Sequence, residues 1–169
     1  MFDGLEFLEA TNLVIPGIIP KIGKEIEQKL LLRLRREPPL SKYLRKKGKK
    51  DIPKKDNTIW HHNAIRYWIR AMNFVPKFKG NEDVSPHVKT VIVDDSTKRD
   101  QIISLLNSTL FYWYFVVTSN GRDLTYDTIS NFNINLEYMK PIHSKSLSSC
   151  CAELMQDLVK HSRMKDTQC

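Results

Sequence analysis

A chain of 169 residues is long enough for one good hydrophobic core, or one core with an appendage. Its 27 lysines and arginines against 19 acids give a net charge of +8 and a pI near 9.4, a balance that favours an anionic partner such as nucleic acid. Cys150, Cys151 and Cys169 have no C-x-x-C spacing, the start MFDGLEFLEA carries acids where a secretory signal needs basic residues, and the apolar run 110–117 is short of the about 20 residues that span a bilayer, so neither a zinc site nor a disulfide framework is suggested, no membrane span is expected, and a cytoplasmic protein is expected.

Residues 1–20 carry apolar residues broken by Pro16, Gly17 and Pro20, and read as an extended connector. Pro20 to Leu34 then shows Ile22, Ile26, Leu30 and Leu34 at helical spacing, with Pro38-Pro39 beyond as a stop. The stretch 42–55 holds eight basic residues, among them Lys46, Lys47, Lys49 and Lys50, against the single acid Asp51. Without hydrophobic periodicity it predicts a loop, either a solvated charge run or a contact for phosphates.

Between Thr58 and Phe78, Ile65, Tyr67 and Ile69 alternate with Arg66, Trp68 and Arg70, so a strand here would set two arginines around a tryptophan on one face. That face suits bases and phosphates; the alternative is a half-buried strand whose arginines pair with nearby acids. His87 to Val93 predicts a second strand.

The densest apolar stretch lies within residues 94–125 and predicts one buried helix, started by Asp95, Ser96 or Thr97 and stopped by Asn120-Gly121, with Gln101, Ser104, Ser108 and Tyr112 as a narrow polar stripe. Arg122 and Asp123 follow at once in a polar loop. A short helix within 125–132, a short strand over 133–136, and a final amphipathic helix over 147–160 complete the chain. The fold expected is α/β, or α+β: a small mixed sheet packed around a buried central helix.

Three patterns suggest chemistry and fail on inspection. Glu37-Pro38-Pro39-Leu40 has the double proline of adenine-N6 methyltransferases, but neither the polar residue that would meet the adenine amino group nor the aromatic that would stack on the flipped base. His61 and His62 point to opposite faces of any strand and cannot readily share a metal ion. Glu27-Gln28-Lys29 matches a nuclease spacing but lies on a helix with no Pro-Asp pair before it. No metal site, and no glycine-rich turn for a nucleotide cofactor, is expected.

Several phrases, taken in order, carry a resemblance. Ile19-Pro20-Lys21-Ile22-Gly23, His62-Asn63-Ala64, Arg66-Tyr67-Trp68-Ile69-Arg70-Ala71, Ser85-x-His87-x-Lys89, Leu105-Leu106-Asn107-Ser108 and Asn120-Gly121-Arg122-Asp123-Leu124 are similar to the C-terminal specificity domain of TaqI-like adenine-N6 DNA methyltransferases, including the fused restriction-modification enzymes. The resemblance covers roughly residues 15–135. It implies a target-recognition domain over 21–140 that reads double-stranded DNA, with 1–20 as the connector from a catalytic domain and 141–169 as a C-terminal helix and tail. It also implies that S-adenosylmethionine belongs to that catalytic domain, the second expected partner, and that this chain, without it, is a fragment or stand-alone remnant with no catalysis of its own. Arginine can bond guanine twice and asparagine adenine twice in the major groove, so Asn63, Arg66, Arg70, Asn120 and Arg122 are the candidate readers, with Trp68 beside them and Lys46, Lys47, Lys49 and Lys50 on phosphates. The alternatives are a stand-alone nucleic-acid-binding module and, behind it, a metal-dependent nuclease.

Overall fold

A computed structural model describes residues 13, 19–46, 48, 52–65, 67–76 and 85–161. Its sheet has four strands, β1 (Leu44–Lys46), β2 (Thr58–His62), β3 (Ala71–Met72) and β4 (Val88–Val93), in the order β1-β4-β2-β3 and antiparallel throughout. Valine and isoleucine dominate β4, and the pairings Ile59 with Val91 and Leu44 with Val93 set one row of side chains against the helices. The basic stretch 42–55 is therefore not all loop. Leu44 is buried, and its neighbours Arg45 and Lys46 continue an edge strand whose charges face solvent, a common way of protecting a sheet edge.

Five helices surround this sheet among the described residues: α1 (Glu25–Leu34), α2 (Arg99–Leu106), α3 (Thr109–Thr118), α4 (Tyr126–Ser130) and α5 (Pro141–His161). In α1 the buried residue is Leu31, while Ile26, expected on the apolar face, is 68% exposed. The phase is set by Glu27. Its carboxylate accepts the Gly23 and Lys24 amides at 3.0 and 3.1 Å and the Trp113 indole N–H at 3.0 Å, closing the helix start and binding it to α3 in one step. These donors hold the Glu27 carboxyl below its ordinary pKa, with the Trp113 bond the largest cause. Leu13 is buried in the same core, and its carbonyl accepts from Arg35 Nη2 at 2.6 Å.

The expected single central helix is two. After α2, Asn107 takes a helix-ending conformation, Ser108 becomes extended, and the Ser108 hydroxyl accepts the Phe111 amide at 3.2 Å as the N-cap of α3. Ser108 is thus a cap and not part of a stripe. Asp95 caps a 3₁₀ turn over Ser96–Lys98 by accepting the Thr97 amide, and Gln101 and Ser104 bond Ser144 Oγ and the Leu147 carbonyl, so these two polar positions tie α2 to α5. Ile102, Ile103 and Leu106 of α2 and Phe111 and Phe115 of α3 are fully buried, and Phe132 meets Phe111 edge-on at 5.1 Å between ring centroids.

Two further expectations change. Asn133 makes one isolated bridge, to Pro39, and no strand forms over 133–136, because prolines 38 and 39 have no N–H to extend a ladder. The final helix begins at Pro141, six residues before the first apolar position expected of it, and buries Cys151 and Met155. Proline suits a first helical turn, where its missing N–H costs nothing. No helix of the described residues is long and apolar enough to cross a membrane.

Candidate nucleic-acid interface

The end of α3 builds a loop almost entirely from its own side chains. Thr118 and Ser119 donate their hydroxyls back to the carbonyls of Tyr114 and Phe115, and the chain turns through Gly121 at φ 71°, the left-handed region that glycine enters without strain. Asn120 Oδ1 then accepts the amides of Arg122 and Asp123, both at 2.8 Å, and Asn120 Nδ2 donates to the Asp123 carboxylate at 3.2 Å. Asn120 is exposed, but its amide group is committed to the loop.

This loop is stitched to the segment leaving β2. Ile65 N donates to the Arg122 carbonyl and Leu124 N to the Asn63 carbonyl, both at 2.8 Å, with Ala64 and Asp123 paired between them. Asn63 N in turn donates to the His87 carbonyl just before β4. Three stretches far apart in sequence therefore form one rim.

Inside that rim lies a cleft of about 550 Å³ lined by Lys46, His61, Asn63, Lys89, Asp123 and Tyr126, among others. The Lys46 ammonium sits 5.9 Å from the Tyr126 ring centroid. Asn63 Oδ1 is buried and has no hydrogen-bond partner among the described residues. His61, 2% exposed, is pushed down to about 4 by burial and is neutral at physiological pH. His62, on the other face of β2, is lowered as well, first by burial and then by the charges of Arg70 and His87. The cleft mixes two lysines with Asp123 and Asp127, so it is not a uniform phosphate groove. It offers hydrogen-bond donors and acceptors of both kinds, as the reading of base edges requires.

Of the residues expected from sequence, Lys46 and Asn63 share this cleft, and Arg122 is exposed on its rim. Trp68 and Arg70 lie elsewhere, between β2 and β3, where the described residues form no strand: Ile65 and Ile69 are buried, and the His62 amide donates to the Arg70 carbonyl at 3.3 Å. The Arg70 guanidinium stands 6.0 Å from the Trp68 ring centroid. Lys47, Lys49, Lys50 and Arg66 lie outside the described residues. Within the basic stretch, Lys42 bonds Glu137 at 2.9 Å and Arg45 approaches Asp94 at 3.7 Å.

Lys89, Tyr126 and Asp123 were missed as site residues. Lys89 takes an exposed position of β4, and the strand register, not legible in the sequence, sets it opposite His61; Tyr126 enters through the geometry of α4 alone. No three His, Cys, Asp or Glu side chains converge as a metal site among the described residues. Burial pushes the Cys151 thiol up to about 12, where it is inert as a nucleophile. β4 runs into Asp94-Asp95-Ser96, a turn without glycine. No protein-family model, curated protein or solved structure matches the chain.

Proposed function

We propose that the chain is the DNA target-recognition domain of an adenine-N6 DNA methyltransferase, reading double-stranded DNA beside a catalytic domain that binds S-adenosylmethionine. The observation that carries this reading is the rim: His62-Asn63-Ala64 and Asn120-Gly121-Arg122-Asp123-Leu124, two of the phrases in which the resemblance lies, are joined by main-chain bonds around one polar cleft. An enzyme that extrudes an adenine needs a second surface to hold the duplex and read neighbouring base edges. Asn63 and the exposed Arg122 carry the groups for that, while Lys46 and Lys89 supply charge for the backbone.

The test uses this chain alone and fused behind a methyltransferase catalytic domain, with salt-controlled binding titrations and tritiated-methyl transfer. The chain alone transfers no methyl group; the fusion methylates at a defined site. In the fusion, Arg122→Ala weakens cognate binding by roughly 1–3 kcal/mol and relaxes preference at one base pair. Lys46→Gln instead lowers affinity for all sequences and flattens the log–log salt slope by about 0.9. Methyl incorporation by the isolated chain, free of host enzyme, overturns the reading; so does a fusion whose binding ignores sequence.

A further inference from the structure

The connection between β2 and β3 is fixed at two points. Ile65 and Ile69 are buried, Ile65 N is bonded to the rim, and the Arg70 carbonyl holds the His62 amide. Between these anchors Tyr67 is 85% exposed and Trp68 is 44% exposed. Packing leaves most of the Tyr67 side chain and close to half of the Trp68 side chain in water, where their rings remain available. Their setting is basic: the Arg70 guanidinium stands over the Trp68 ring, and the chain as a whole carries +8.

We infer that Tyr67 and Trp68 form a stacking platform for unpaired DNA bases, with Arg70 beside them for the accompanying phosphate. Aromatic rings accept any base whose face is free, and a duplex offers such faces only where its stack has opened. This site is distinct in kind from the cleft, whose donors and acceptors suit base edges. The inference rests on the DNA-binding reading of the chain but not on its assignment to a methyltransferase.

The experiment compares an oligothymidylate of about 12 nucleotides with an abasic strand of the same phosphate count, at fixed salt. The wild-type chain binds the oligothymidylate roughly tenfold more tightly, and its tryptophan fluorescence is quenched on binding. Trp60 is buried and Trp113 is bonded to Glu27, so the quenching belongs mainly to Trp68 and disappears in Trp68→Phe, which keeps most of the affinity. The double variant Tyr67→Ala/Trp68→Ala, shown to be folded by its melting curve, binds both strands alike. Equal wild-type affinity for the two strands overturns the inference, as does a double variant that still prefers bases. Site-specific methylation by the fusion without base-dependent single-strand binding removes this inference and leaves the recognition reading standing; the reverse pair of results does the opposite.

Discussion

The α2–α3 elbow and the rim of the cleft each centre on an asparagine, and the two are treated differently by the fold. Asn107 Nδ2 donates to the carbonyls of Ala71 and Ile103 at 2.8 and 2.9 Å, and its Oδ1 accepts the Ala71 amide at 3.2 Å, so the elbow clamps the short strand β3 and every polar atom of the side chain is used. Asn63 uses its backbone amide and carbonyl to join the rim, but its buried Oδ1 has no partner among the described residues. A buried acceptor left open costs about 1–3 kcal/mol, and folded proteins keep few of them. The elbow is completed by folding; the rim keeps a position that folding alone does not satisfy, beside two lysines and an exposed arginine.

The largest expected effect that separates the two regions comes from acid. His61 lines the cleft with a pKa near 4 against an ordinary value of 6.5, so the unfolded chain binds the proton more readily than the folded one. Stability is full above about pH 6.5 and falls as pH drops toward 4, a loss on the order of 3 kcal/mol. Urea unfolding between pH 7 and 4 measures it, and His61→Gln removes that part of the slope. The elbow contains no titrating group in its hydrogen bonds, so an undiminished slope in His61→Gln would show that acid acts elsewhere.

Next in size is Asn107→Ala, which strands the Ala71 amide and carbonyl and lowers stability by roughly 1–3 kcal/mol. DNA affinity per folded molecule stays as it was. Thermal melting and a titration below the melting range separate the two quantities, and a loss of affinity here would join the elbow to the interface.

The smallest change in stability is expected from the same substitution at Asn63. Removing an acceptor that has no partner leaves stability within about 0.5 kcal/mol, while duplex affinity falls. Destabilisation as large as that of Asn107→Ala, with affinity unchanged, would make the rim as purely structural as the elbow.

Much of this contrast was hidden in the sequence for a physical reason. The β-branched run Val88–Val93 announced its strand, Asn120-Gly121 announced its turn, and the split of His61 and His62 between two faces follows from strand geometry. The break at Asn107-Ser108 did not announce itself, because apolar residues continue on both sides and Ser108 reads equally well as a polar helix position or as a cap. The alternation over 65–70 misled in the opposite direction. Ile65 and Ile69 are buried as a strand's residues would be, but Ile65 gives its amide to the loop after α3 rather than to a neighbouring strand. Asn63 and Lys46 could be named as candidates from residue chemistry and resemblance, but their meeting with Lys89 and Tyr126 depends on main-chain bonds between distant segments.

The strand order carries a consequence for how the chain reaches this state. β4 lies between β1 and β2 yet follows both in sequence, so when the ribosome has released the first three strands, β2 can find β3 but β1 has no neighbour. The sheet closes only when Val88–Val93 slides into the waiting gap, and that step also brings His87 to Asn63. Closure of this kind is non-local and slow relative to helix formation. The rim is then among the last parts of the molecule to assemble, and a nascent chain halted before Val88 would hold a hairpin of β2 and β3 without the surface proposed to read DNA.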